Sequence, residues 1–417
     1  MQLQTILNRV EKYKSFVYQS VRFGDNPKSL ELEVLIVPRA NSRPICSGCR
    51  RKGPGYDRLP ERRFEYVPLW QIAVFFVCAV RRVNCPRCGV TAEEIPWARG
   101  KETHTRTYQW FLSKWAQRLS WKETARVFST SWQRVFKAVK HAVLWGLVHD
   151  VWTDVRTVGV DEIAWQKGHS YLTMVYQLDE NRKRLLWVGQ DREKKSLEKF
   201  FNLLGKASSE DIDFVCSDMW GPYLDVIAER APQAVHVLDR FHIMRLMNKA
   251  IDEVRREEVK ELARDGYEPI LKHSRWCLLK RKENRTQRQT VKLKELMQYN
   301  LNSVKAHLQR EDFQRFWEYD SPTWAGKFLD DWCARVNRTN LEPMKKVVKT
   351  LQAHRELILN WFKAGGRLSS GTVEGFNNKA KLTMRKAYGF RSPEAAQIAL
   401  FHTLSDLPEP EFTHKYW

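Results

Sequence analysis

Three carboxylates stand in settings suited to chemistry. Asp161 closes the apolar run Val158-Gly159-Val160, and Asp218 closes a second, Phe214-Val215-Cys216-Ser217. Glu374 lies in Gly371-Thr372-Val373-Glu374-Gly375-Phe376-Asn377-Asn378-Lys379, at the start of a basic, helix-like stretch. Acids at the ends of two buried strands, joined by one from a distant helix, make an oxygen-lined pocket for divalent ions. Two such ions hydrolyse or transfer a phosphodiester bond. An Asp after a strand is more often a turn or cap residue, so the weight rests on what surrounds these three. Glu162, next to Asp161 on a strand, is expected to point to the opposite face and not to be a ligand.

A second set of chemical residues lies earlier. Cys46-Ser47-Gly48-Cys49 and Cys85-Pro86-Arg87-Cys88-Gly89 are paired thiols on tight turns. Four thiolates so spaced close a tetrahedral structural site for one Zn²⁺. The stretch between the pairs is longer than the common ribbon spacing and suits a β-hairpin. Cys78, Cys216, Cys277 and Cys333 sit in apolar or helical contexts and read as buried thiols. Arg50, Arg51, Arg62, Arg63, Arg81, Arg82 and Arg87 make the ribbon suitable for phosphate contact.

The bulk numbers fit a polyanionic partner. The chain has 417 residues, enough for two to four domains, and a formal net charge of +22. Nucleic acid is the first choice of partner and a membrane surface the second. The longest apolar run, Ile72 to Val80, is far too short to span a bilayer. The first residues lack a signal-peptide pattern. The expected place is the cytoplasm, where cysteines serve as thiols or metal ligands rather than disulfides.

The elements that must position the acids follow from periodicity. A helix-like opening precedes a strand over 30–37, and further strands are expected at 64–67 and 73–77. From 101 to 148 the pattern is helical. Thr105 to Arg118 forms one helix, Ser120-Trp121-Lys122-Glu123 is a capping box for a second, and Ser129-Thr130-Ser131 caps a third. Three helices with a short turn before the last suit a helix-turn-helix, with Gln133, Arg134, Lys137 and Lys140 facing the groove. An ordinary three-helix bundle with a solvated basic face is the alternative. Strands then return over 155–163, 171–178 and 184–188, followed by a helix, a strand at 212–217, a helix and a strand at 234–238. Residues 240–362 read as helical and strongly basic, and 370–404 as two helices broken near Gly389. Trp317, Trp324, Trp332 and Trp361 read as helical core.

The order βββαβαβ suggests a ribonuclease H-like sheet, in which the first and fourth strands are neighbours and Asp161 and Asp218 lie side by side. Asp239 ends the fifth strand and His242 follows one turn on. They are candidates for a place beside the metal-holding acids, with a plain helix cap as the alternative.

The pieces Val158-Gly159-Val160-Asp161-Glu162, Ser217-Asp218-Met219-Trp220, Asp239-Arg240-Phe241-His242 and Gly371 to Lys381 resemble those of bacterial insertion-sequence transposases of the ISL-three family. The resemblance covers nearly the whole chain. It implies an α/β multidomain protein: an N-terminal zinc ribbon in 1–98, a helix-turn-helix in 99–150, a ribonuclease H-like core in 151–240 and 363–417, and an all-helical insertion in 241–362. It implies catalysis by Asp161, Asp218 and Glu374 with two Mg²⁺ (or Mn²⁺) ions. Asn377, Asn378, Lys379 and Lys381 are expected to contact DNA phosphates. The implied activity is binding of terminal inverted repeats in double-stranded DNA, cleavage of the element ends and joining of 3′-hydroxyls to target DNA. A homodimer on DNA and a location at the bacterial nucleoid follow. A DNA-binding regulator with a decayed core and a structure-specific nuclease of the same fold are the other readings.

Overall fold

The computed structural model describes residues 2–25, 30–166, 170–365, 370–387 and 389–411, with backbone but not side chains at 370–374. The chain forms two compact units, Met1–Val151 with Thr383–Trp417, and Trp152–Leu382.

The first unit begins with α1 (Leu3–Val10), β1 (Phe16–Phe23), β2 (Glu31–Pro38), β3 (Gly55–Leu69), β4 (Ile72–Cys85) and β5 (Gly89–Ala92). The sheet order is β1-β2-β4-β3, with β5 also on β4. Strand β1 was not among the expected strands, although its first residues alternate inward and outward. Strands β3 and β4 extend well beyond the short apolar cores that marked them, because their outer halves carry the arginines and the cysteine turns. Trp97 is 1% exposed and centres the core, with its ring 4.9 Å from Phe16 and 5.2 Å from Tyr13.

Three helices follow: α2 (Arg106–Arg118), α3 (Trp121–Val127) and α4 (Trp132–His149). Their starts are set by local hydrogen bonding. Thr105 and Ser131 side chains cap α2 and α4, and Ser120 with Glu123 forms a reciprocal capping box on α3.

The second unit carries β6 (Thr157–Ala164), β7 (Tyr171–Asp179), β8 (Arg182–Gln190), α5 (Lys194–Leu204), α6 (Lys206–Glu210), β9 (Phe214–Ser217), α7 (Gly221–Arg230) and β10 (Val235–Leu238). The sheet order is β10-β9-β6-β7-β8, so the first and fourth strands of this unit do pair. Strands β10, β9 and β6 run parallel, while β7 and β8 are antiparallel. Helices α5 and α7 bury Leu197, Phe200, Tyr223 and Val226 against Val158, Val160 and Val215 of the sheet.

The helical run is α8 (Arg240–Arg264), α9 (Arg275–Leu279), α10 (Gln287–Leu296), α11 (Asn302–Phe313), α12 (Pro322–Asn337), α13 (Glu342–Ala353), α14 (Arg355–Lys363) and α15 (Ser370–Lys386). Its core contains Phe313, Phe316, Trp317 and Trp332. Trp317 and Trp332 are thus core, as expected, and Trp361 is partly buried against them, whereas Trp324 is 59% exposed. The Asn360 amide donates to the His236 carbonyl at 2.9 Å, tying α14 to β10.

The last helix is α16 (Pro393–Leu404). Residues 363–417 were expected to belong wholly to the catalytic core, but those from Thr383 onward group with the first unit. Ser113 and His402 hydrogen-bond at 3.0 Å, Lys140 pairs with Glu394, and Leu407 fills the space beside Gly146. Helix α16 buries Ala396, Ile398, Ala399, Leu400 and Phe401, nearly all round its axis, so no single apolar stripe told where it packs.

One buried acid is structural. Glu258 on α8 is 7% exposed and accepts from the backbone N–H groups of Asn302, at 2.5 Å, and Ser303, at 2.9 Å. It satisfies donors that the start of α11 otherwise leaves open. Glu258→Ala is expected to destabilise this unit by about 2 kcal/mol. Hydrogen exchange should then quicken at the amides of 302 and 303, and unchanged exchange there would rule the cap out.

Candidate active site and metal centre

In the first unit the two cysteine turns meet. The Sγ atoms of Cys46, Cys49, Cys85 and Cys88 all lie within 4.8 Å of one another, the one such grouping of His, Cys, Asp or Glu among the described residues. Cys49 and Cys85 sulfurs are 3.5 Å apart. Gly48 makes the approach possible: a Cβ there would stand 3.1 Å from the Cys88 sulfur. The Cys46 thiol is pulled down to about 6, first by the Thr91 hydroxyl and then by the Cys49 backbone. Four converging sulfurs, one already favouring thiolate, fit a tetrahedral soft cation such as Zn²⁺. Held there, it would fasten the turn before β3 to the end of β4.

On α4, Gln133, Arg134 and Lys137 are exposed and Lys140 is half-buried. Arg134 pairs with Glu65 at 3.3 Å, and Lys140 with Glu394. Of the four residues expected to face DNA, two therefore already hold acidic partners within the same unit.

In the second unit, strand register lines up the acids. Strand β6 pairs with β9 through Gly159 opposite Cys216, and β10 pairs with β9 through Leu238 opposite Ser217. Carried forward, both registers bring Asp161, Asp218 and Asp239 to one level across three adjacent parallel strands. The Asp239 N–H bonds the Ser217 carbonyl at 2.9 Å, which extends the β10 register to this level. Asp161 does not end its strand, because β6 continues to Ala164. Asp218 immediately follows β9.

Each carboxylate has defined partners. Asp161 is buried; its Oδ1 accepts from the Glu162 N–H at 2.7 Å and its Oδ2 from the Asn377 amide. Asn377 also accepts from the Tyr176 hydroxyl at 3.3 Å, and Phe376 stacks on Tyr176 at 4.8 Å. Helix α15 thus lies on the sheet at Asp161. Glu374 is on this helix one turn before Asn377, but its side chain lies outside the described residues. Asp218 accepts from the Trp220 N–H at 3.0 Å and from Arg192 at 3.0 Å. Asp239 caps α8 through the Phe241 N–H at 2.8 Å, and its other oxygen is 3.5 Å from His242 Nδ1. The cap and the place beside the acids are therefore one arrangement.

Glu162 differs from expectation. Its carboxylate is 2.5 Å from the Arg192 guanidinium that also holds Asp218. It therefore shares a partner with the catalytic candidates instead of standing apart from them. Arg192, stacked 4.7 Å over Trp220, was missed because a lone arginine in a loop after β8 carries no spacing signal. Asn377 was expected on DNA phosphates but is turned onto Asp161. Asn378, Lys379 and Lys381 are exposed, with Lys379 5.8 Å over the Phe376 ring.

The electrostatics reflect crowding. Burial raises Asp161 above the ordinary carboxylate range, and Asp218 adds to the rise while the Glu162 amide, His242 and Asn377 oppose it. Burial pushes Glu162 up to about 7 against the pull of Arg192, with Asp218 and Asp161 adding to the rise. Among the described residues these acids do not bring three carboxylates within 4.8 Å of one another, so a dication there would need oxygens from outside this set.

Metal analysis of the purified protein should find about one zinc per chain, held by the four-thiolate set. Cys49→Ser or Cys88→Ser should lose it and expose the 46–92 region to protease. Full zinc content in either variant would remove that cysteine from the site.

Comparison with known proteins places these geometries in a family. The family model for ISL-three DDE transposases, described as a transposase, matches residues 158–400, from β6 into α16. The transposase for insertion sequence element IS1001 of Bordetella parapertussis is 28% identical over 386 residues, 92% of this chain and 93% of the relative. The transposase for insertion sequence element IS1557 of Mycobacterium tuberculosis is 28% identical over 428 residues, 94% of this chain and 93% of the relative. The matched segment contains all three acids singled out by the sequence, and the chain belongs to the ISL-three family of DDE transposases.

Proposed function

We propose that the protein binds the terminal inverted repeats of an insertion sequence as double-stranded DNA, cleaves the element ends and joins the 3′-hydroxyls to target DNA. The observation that carries this reading is the row of Asp161, Asp218 and Asp239 across adjacent parallel strands, with α15 laid on Asp161 through Asn377. The sheet order supports a ribonuclease H-like core, and the capped helices α2, α3 and α4 support a helix-turn-helix. Helices α8 to α14 form the insertion. Gln133, Arg134 and Lys137 on α4, and Asn378, Lys379 and Lys381 on α15, are the DNA contacts, while Lys140 joins them only by exchanging Glu394 for phosphate.

Asp161, Asp218 and Glu374 hold the catalytic metal. Two bound Mg²⁺ or Mn²⁺ ions would activate a water or 3′-hydroxyl and stabilise the leaving oxygen. Asn377 fixes the orientation of the Asp161 carboxylate, because its amide is itself held by Tyr176. Arg192 balances the charge of Asp218 and Glu162 and keeps the Asp218 carboxylate on the strand end. His242 lies 3.5 Å from Asp239, at the start of the helix that Asp239 caps. Two element ends call for two copies, hence a homodimer on DNA. No helix among the described residues is long and apolar enough to cross a membrane, and DNA draws the protein to the bacterial nucleoid.

Asp161→Asn, Asp218→Asn and Glu374→Gln should each abolish Mg²⁺-dependent cleavage of an element-end duplex while leaving its binding intact. A variant that still cuts removes its acid from the set. A wild-type chain that binds the duplex but never nicks it would favour a DNA-binding regulator, and cutting without joining would favour a nuclease. Asn377→Ala should slow cleavage by about 10–100-fold with binding preserved, measured in single turnover at several Mg²⁺ concentrations. Weakened metal dependence separates a positioning role from simple loss of fold.

A further inference from the structure

A cleft of about 430 Å³ opens in the first unit between the segment leading into α2 and one face of α4. Lys101 and His104 line it from the segment, and Arg134, Lys137 and His141 from the helix. The last three recur at helical spacing, so they share one face. Leu112 and Ala138 supply an apolar floor.

The charge in the cleft is unbalanced. Glu102 is the acid on its wall, and its carboxylate accepts from Gln109 at 3.1 Å and from the Arg99 N–H at 3.4 Å. Glu65 stands between Arg134, at 3.3 Å, and His104, at 3.4 Å, so it orients both and leaves most of the guanidinium donors open. Lys101 and Lys137 are exposed and make no ion pair among the described residues.

A second, independent sign lies deeper. His141 Nδ1 and Arg106 Nε are buried and have no hydrogen-bond partner among the described residues. Burial, together with nearby Arg99 and Arg106, disfavours a proton on His141. Lys101, Arg134 and Lys137 gathered on one cleft, with a single acid on its wall, suit an anion with several acceptor oxygens.

We infer that this cleft takes one phosphate group of a DNA backbone, clamped between Lys101 on the segment before α2 and Lys137 on α4. The inference rests on the DNA-binding reading above and deepens it. Phosphate contacts set register and orientation, while base edges carry sequence. Gln133 lies about a quarter turn round α4 from Arg134, so a phosphate seated in the cleft fixes how far Gln133 reaches into the groove.

The test uses the full chain and element-end duplexes in which single phosphates are replaced in turn by uncharged methylphosphonate. Wild type should lose about tenfold in affinity at one position. Lys101→Ala/Lys137→Ala, changing two exposed side chains, should bind more weakly, with a salt slope shallower by about two. At that one position the double variant should be indifferent to the replacement. Losses that merely add at every position overturn the cleft while leaving DNA binding standing. A wild-type chain that does not bind the duplex overturns both readings together. If inorganic phosphate raises the melting temperature of wild type but not of the double variant, and duplex losses still add, the cleft is a free-anion site and not a DNA contact.

Discussion

The registers of strands β6, β9 and β10, carried forward, bring Asp161, Asp218 and Asp239 to one level. Burial is the largest cause raising the pKa of Asp161 and Glu162, and Asp218 adds to it, since a low-dielectric setting strengthens every interaction between charges. The surroundings answer it group by group. Asn377 and a backbone N–H serve Asp161, Arg192 and the Trp220 N–H serve Asp218, and the start of α8 with His242 serves Asp239. Replacing such acids with well-packed apolar residues tends to stabilise a fold. Their presence is therefore a cost to stability, one that the proposed chemistry would explain.

The same logic, with opposite sign, organises the first unit. Four sulfurs converge where β4 ends, and the long hairpin of β3 and β4 has its arginines on the half nearest them. A small ribbon cannot bury enough apolar surface at that end, and a metal held by the four sulfurs would supply the cross-link that packing does not. Toward the other end Trp97 and its aromatic neighbours suffice.

What the sequence revealed divides along physical lines. Strand ends, caps and cysteine turns are local signals, and they located β6 to β10, the starts of α2, α3 and α4, and the four sulfurs. The adjacency of Asp161 and Asp218 was legible because strand order limits how parallel strands connect. Partnerships between distant polar residues were not legible. Arg192 bridging Glu162 and Asp218 depends on which way a loop side chain turns, and Asn377 on Asp161 depends on helix rotation. The Glu162–Arg192 pair was not legible either, because strict alternation describes two residues on one strand, not a long arginine reaching in from another element. Where helix α16 packs was not legible because an apolar helix without a stripe gives no direction.

The length of chain between Asp218 and Glu374 looks, on paper, like an obstacle to a compact site. The helical run removes it by leaving from and returning to the same strand. Helix α8 begins at the end of β10, where Asp239 caps it, and α14 comes back against β10 through Asn360 and His236. Leu238, the last residue of β10, is part of the helical core, so the sheet edge and the insertion share one packed surface. Loop-closure entropy grows only slowly with length, and here a folded body with its own core spans the interval. The helices between can therefore carry surface, charge and exposed Trp324 without changing how α15 meets Asp161. They join the sheet through Asp239 at the start of α8, Asn360 on α14, and Leu238 and Met219 in the shared core, and the first of these is itself a member of the row.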